Sequence, residues 1–214
     1  MKIVFCNMLV SNDMESHVDT VDGNSTIESG KEVIFPVNGL LAKTLQKDEQ
    51  VKIVLFATEN DARDSQKYRN AFKEELKDIN TGIGADISYT EIVMPFRATT
   101  KTFDETLRLL IEQMQEGAQI IADITYGSKI QPILLFSALN FAEKYFDADI
   151  KNIIYRKVDF VPNPNNSGPN AKKIPVNPVV YDVTSLYYLN SLTNVIDCDS
   201  ADDAKKMLDD FFAM

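Results

Sequence analysis

"QIIADITYGSKIQPILLFSALNFAEKY", residues 119–145, joins an apolar run that closes on Asp123, a turn around Gly127, and a long stretch with an apolar period. Ile130, Ile133, Leu134, Ala138, Phe141 and Tyr145 recur every three or four positions, the spacing of a helix that buries one side. The short run before the turn reads as a strand covered on both faces. A buried strand that feeds directly into a buried helix is part of a βαβ unit, so this stretch predicts a parallel sheet.

The same alternation repeats on either side. "KIVFCNMLV" from Lys2, "VKIVLFATEND" from Val51, "ISYTEIVMP" from Ile87 and "IKNIIYRKVDFV" from Ile150 all read as strands. Between them, helical spacing places Leu40, Leu41, Thr44 and Leu45 on one helix. Tyr68, Phe72, Leu76 and Ile79 fall on a second, and Phe103, Leu107, Leu110, Ile111 and Met114 on a third. The fold class expected is α/β, a Rossmann-like, mainly parallel sheet with helices on both faces and a ligand crevice at the carboxyl ends of its strands. Three loops would meet there: "VSNDM", "ATENDARD" and "DITYGSK".

"VPNPNNSGPNAKKIPVNP", residues 161–178, has no apolar period and reads as a long loop. "VVYDVTSLYYLNSLTNVI" then suggests a short strand, a cap at Thr184 and a helix. "SADDAKKMLDDFFAM" suggests a final amphipathic helix with Ala201, Ala204, Leu208 and Phe211 on one face. Residues 1–196 are expected to form one domain, and residues 197–214 an appended helix.

Composition narrows the function. With 214 residues, 44% of them hydrophobic, the chain can bury a sizeable core. A net charge of −10 argues against wrapping long nucleic acid, which needs a broad basic surface. A small anionic ligand remains open, because a helix N-terminus and one or two cations suffice to hold it. No apolar run approaches the roughly 18–20 residues of a membrane span, and "MKIVFCNMLV" has no small-residue cleavage site, so a cytoplasmic protein without a membrane partner is expected. Cys6 and Cys198 lie far apart and suit free thiols. The single histidine, His17, falls in a stretch that reads as a loop; neither histidine chemistry nor a metal or other cofactor is expected.

The turn at 123–129 carries the most chemistry. Backbone N–H groups at the start of a helix favour an anion. Thr125 adds a hydroxyl, Gly127 permits close approach, Ser128 offers its N–H and Lys129 adds positive charge, a combination that suits a phosphate. Tyr126 offers a ring for a base and a hydroxyl; Asp123 would either accept from ribose hydroxyls or hold the loop in shape. Against these stands a purely structural turn. Ser11 and Asn12, after the first strand, would face this turn if the two strands are neighbours, and Ser11 reads equally as a cap. Arg97 and Lys101 in "MPFRATTKTF" form the other cationic cluster near a strand end, although Thr102 with Glu105 reads there as a capping box.

"DITYGSKIQPILLFSALNFAEKY" resembles the DxTHG segment of CARF domains, the CRISPR-associated Rossmann folds, in which that turn is followed by a basic residue, a proline and an apolar helix. "KIVFCNML", "VKIVLFATENDA" and "VVYDVTSLYYLNSLTNVI" stand where that family has its first strand, its second strand and its closing segment. The chain departs from the pattern in Tyr126, where the motif has histidine, and in Lys129, where arginine is usual. The resemblance implies a homodimer that binds cyclic oligoadenylate, tetra-adenylate before hexa-adenylate, as a sensor in type III CRISPR antiviral signalling. The chain would then be either a free-standing sensor or the sensory part of a longer effector, whose effector domain or protein is not in this chain. The resemblance assigns ligand contact to Ser11, Asn12, Thr125, Gly127 and Lys129. The alternative it implies is a ring nuclease, in which a ribose 2′-OH attacks its neighbouring phosphate without a metal. Ser11 or Thr125 would orient the hydroxyl, and Lys129 with the N–H groups of Gly127 and Ser128 would stabilise the phosphoryl charge.

Overall fold

The computed structural model describes residues 1–8, 15–59, 65–163, 173–193 and 196–213. Nine strands and the helices between them follow in chain order. These are β1 (Lys2–Asn7), β2 (His17–Val18), β3 (Thr20–Asp22), β4 (Glu32–Val33), α1 (Pro36–Thr44), β5 (Gln50–Glu59) and α2 (Gln66–Asn80). There follow β6 (Asp86–Pro95), α3 (Thr100–Ile111), β7 (Gln119–Asp123), α4 (Ile130–Phe146), β8 (Asp149–Pro162), β9 (Lys173–Asp182), α5 (Thr184–Thr193) and α6 (Ala201–Phe212).

Among these, seven strands make one sheet in the order β3-β9-β8-β7-β1-β5-β6, parallel except where β8 meets β9. This is the Rossmann-like α/β architecture that the alternation of strands and helices predicts. β1 is central, and its six residues are all buried. Its pleat divides the core, because successive side chains alternate between faces. Ile3 and Phe5 pack with Leu110 of α3, Leu134 and Leu135 of α4 and Tyr187 of α5. Val4 and Cys6 pack on the other face with Leu40 and Leu41 of α1 and Tyr68, Phe72 and Leu76 of α2. β6 is an edge strand, and its burial alternates accordingly.

Strand order positions the site. After β1 the chain adds β3 to the far edge beside β9, returns through α1, and lays β5 and β6 on one side of β1. It then crosses back to place β7 on the other side. The order therefore reverses between β1 and β7, where helices diverge to opposite faces and leave a crevice at the strand ends. Lys2 to Cys6 of β1 run in parallel register with Gln119 to Asp123 of β7, so Asn7 lies one residue beyond the last paired position, beside the turn.

Several expectations need correction. At both ends the proposed loop 161–178 is strand: β8 runs to Pro162 and β9 begins at Lys173, paired antiparallel, with residues 164–172 outside the described ones. Pro162 and Pro175 lie toward the open end of the ribbon, where ladder bonds are dispensable. His17 forms a short antiparallel pairing with Val33 rather than a loop. α3 is capped by Thr99, whose hydroxyl accepts from Thr102 N–H while the Thr102 hydroxyl accepts from Thr99 N–H. Glu105 instead faces Lys101 one helical turn away, at 3.7 Å. Thr184 is the first residue of α5 rather than its cap: its N–H and its hydroxyl both donate to Asp182, and its hydroxyl oxygen accepts from Ile153 N–H at 2.7 Å. α6 forms, but none of its residues is buried.

Candidate functional site at the switch point

Asp123 ends β7 and has no solvent exposure. One carboxylate oxygen accepts from the Thr125 N–H at 2.9 Å, which tightens the turn. The other accepts from the Val37 N–H at 3.2 Å. Val37 lies in the first turn of α1, whose N-cap, Phe35, makes no side-chain cap bond. Asp123 thus supplies from another element both an acceptor for a free helix N–H and a negative charge at the helix's positive end. Burial pushes the Asp123 carboxyl above the usual carboxylate range, opposed by the Thr125 hydrogen bonds and the charge of Arg156. Of the two roles the sequence leaves open to Asp123, the geometry is that of holding the loop in shape.

The next residues turn toward α1. The Thr125 hydroxyl accepts from Arg156 N–H at 2.9 Å. The Tyr126 hydroxyl donates to the Ile34 carbonyl at 3.0 Å, and the ring meets Phe35 edge-on at 6.1 Å between centroids. Burial pushes its phenol up to about 12. Arg156 closes this region: its guanidinium donates to the carbonyls of Val33 and Ile34 at 3.0 and 2.6 Å and pairs with Asp19. Arg156 therefore ties the insertion that carries β2, β3 and β4 to β8, beside the pairing of β3 with β9 and the Glu75 carboxylate, which accepts from the N–H groups of Ile34 and Phe35. Lys157, its neighbour in sequence, projects to solvent, as strand alternation requires.

Gly127 reverses the direction of the turn at φ +98°, a conformation that L side chains rarely adopt. A Cβ there would stand 2.3 Å from Oε1 of Gln131. That oxygen is committed: it accepts from Ser128 N–H at 2.6 Å and from the Thr58 hydroxyl at 3.1 Å. The other end of the same amide donates to the Phe56 carbonyl at 2.8 Å. Gln131 thereby ties the turn to β5, and glycine leaves room for it.

Lys129 is the N-cap of α4, is exposed, and makes no side-chain cap bond. α4 spans 17 residues, so its aligned peptide dipoles present an anion-attracting end at the crevice; Gln131 N–H already donates to the Ser128 carbonyl at 3.0 Å and Pro132 has no N–H, which leaves the N–H groups of Lys129 and Ile130 there. The Ser128 hydroxyl and both polar atoms of the Asn7 amide are buried without a hydrogen-bond partner.

Of the residues that the sequence singles out, Asp123, Thr125, Tyr126, Gly127, Ser128 and Lys129 are thus brought together. Arg97 is exposed beyond β6, separated from β7 by β1 and β5. Ser11 and Asn12 lie outside the described residues. Sequence reasoning missed Gln131 and Asn7. The available signal was a polar amide inside an otherwise apolar helix face and another inside an apolar strand. Among the described residues no cluster of histidine, cysteine, aspartate or glutamate could hold a metal ion, and no helix is long and apolar enough to cross a membrane.

Compared with models of known protein families and with the curated proteins, the chain matches none of them.

Proposed function

We propose that this chain is a sensor domain that binds cyclic oligoadenylate, tetra-adenylate in preference to hexa-adenylate, and that it does so as a homodimer in CRISPR antiviral signalling. One observation carries the reading: the N-terminus of α4, bearing exposed Lys129 and no side-chain cap, opens at the point where strand order reverses. A phosphodiester at that end would meet backbone N–H groups and an ammonium together. The motif resemblance adds the identity of the ligand.

A ring of repeated phosphates and bases suits an isologous pair, since each half meets the same residues of one subunit. In support, α4 continues from the turn with Ile133, Phe141 and Tyr145 exposed along its length. A second copy seated on that stripe would cover it and set two turns near one axis.

Ring cleavage would draw on Lys129 and the N–H groups of Gly127 and Ser128, with Thr125 orienting the ribose hydroxyl. Yet the Ser128 N–H already donates to Gln131, and the Thr125 oxygen already accepts from Arg156 N–H. These commitments favour binding over cleavage.

The test is calorimetric titration with cyclic tetra- and hexa-adenylate against a linear tetra-adenylate control, with the assembly state read by ultracentrifugation. Uptake of one ring per two chains is expected. Absence of uptake of either ring overturns the proposal. Incubation with the ring for hours in EDTA, followed by chromatography, should return it intact; products ending in a 2′,3′-cyclic phosphate would establish the ring nuclease instead.

A further inference from the structure

Asn7 occupies a position where the pleat calls for an apolar side chain. It ends the central strand β1, and Ile3 and Phe5, four and two residues earlier on the same face, belong to the core beneath α3 and α4. Instead it places there a carboxamide with no solvent exposure, whose Oδ1 and Nδ2 both lack a hydrogen-bond partner. A Cβ on Gly127 would lie 3.4 Å from the Asn7 Cβ, so the amide sits directly under the turn that opens α4. Ser128, the next residue of that turn, has a buried hydroxyl that also lacks a partner.

Gln131 shows what a structural amide looks like in the same crevice. Its oxygen takes two hydrogen bonds and its nitrogen gives one, to elements it joins. Asn7 joins nothing, and an unsatisfied buried amide destabilises the folded chain. Its retention points to a partner that arrives from outside.

We propose that the Asn7 carboxamide is a ligand contact that reads the N6/N7 edge of an adenine, with the Ser128 hydroxyl as a second polar contact beside it. The inference rests on the proposed adenylate ligand. An amide sets an acceptor and a donor side by side, which matches adenine's N6–H donor and N7 acceptor. Guanine presents two acceptors at that edge and would oppose the Asn7 oxygen to its own O6.

Asn7→Leu keeps the shape and removes both polar atoms. Its free form should melt at a higher temperature than the wild type, because the unsatisfied group is gone. Its affinity for cyclic tetra-adenylate should fall by about tenfold or more, as expected for loss of a bidentate base contact. A ring built from 7-deaza-adenosine, which lacks the N7 acceptor, should bind the wild type more weakly than the natural ring, and bind Asn7→Leu no differently from it. Wild-type affinity in the variant, or equal affinity of the wild type for the two rings, overturns the assignment. The comparison of rings needs no variant, so it stands even if Asn7→Leu fails to fold. A wild type that takes up neither ring sinks the adenylate reading itself, and this inference with it.

Discussion

Asp123, Thr125 and Tyr126 precede Gly127 in the turn and hydrogen-bond inward, to Val37, Arg156 and Ile34. Ser128 and Lys129 follow Gly127 at the open end of α4, where one side chain is exposed and another buried hydroxyl has no partner. Seven consecutive residues thus divide into a half that fastens the fold and a half with chemistry left over. What separates them is the reversal at Gly127, which sends the chain from the α1 face toward the α4 face. Polar residue type alone does not mark a binding residue; what matters is whether its hydrogen bonds are already used.

The sharpest way to break this division is to attack the fastening half at its anchor. Arg156→Leu leaves Asp19 without its cation, removes the Arg156 donor from the Val33 carbonyl and leaves the Ile34 carbonyl with Tyr126 alone. A loss of about 3–5 kcal/mol in urea unfolding is expected, the cost of breaking a buried ion pair from one side. A loss under about 1 kcal/mol would mean that the insertion is held chiefly by its other contacts, the β3–β9 pairing and Glu75 among them.

At the hinge between the halves, Gly127→Ala should cost about 2 kcal/mol, since alanine must adopt a positive φ and displace Gln131 from Ser128 and Thr58. Ligand affinity should fall with it. The companion change Gln131→Ala in the same background should add little further, because the amide has already been pushed from its place.

A smaller and pH-dependent effect belongs to Tyr126. Its phenol is raised to about 12 in the folded chain by burial, against an ordinary value of 10.0. The folded state therefore holds that proton more tightly than the unfolded one. The stabilisation is fully present below about pH 10 and is lost as pH climbs towards 12, by roughly 3 kcal/mol at most. Tyr126→Phe should cost about 1 kcal/mol at neutral pH through the lost bond to Ile34 and should flatten the alkaline limb of the stability profile. An unchanged alkaline limb would show that the phenol is solvated.

Lys129→Ala should move stability least, within about 0.5 kcal/mol, because its side chain is exposed. If it pairs with a phosphate, the same change weakens ring binding by about 1.5–3 kcal/mol. Large stability loss without binding loss at Lys129 would invert the comparison of the two halves.

Much of the fold was legible because it depends on short-range periodicity. The apolar runs at Lys2, Val51 and Gln119 reappear as β1, β5 and β7, and a helix forms from Ile130, but its buried side runs through Leu134, Leu135, Ala138, Leu139 and Ala142, leaving Ile133, Phe141 and Tyr145 of the expected stripe exposed. The hairpin arms of β8 and β9 were not legible past Val161, because their sequence carries the proline and asparagine signature of a loop while the pairing that makes them strands lies across the chain. Thr99 was passed over for Thr102 because both are threonines one turn apart, and only backbone geometry separates a cap from the residue that answers it.

By itself, the sequence determined that strands and helices alternate, that the sheet is mainly parallel, and that a glycine-bearing turn opens α4 at a strand's carboxyl end. It could do so because periodicity and turn chemistry act over a few neighbouring residues. Only the tertiary structure decided which polar groups of the turn are already satisfied. Asp123 is answered by Val37 and Gln131 by Phe56, over separations of 86 and 75 residues, while Asn7 is answered by none. Hydrogen-bond satisfaction is a property of what folding brings close, so no local pattern could have divided the turn where Gly127 divides it.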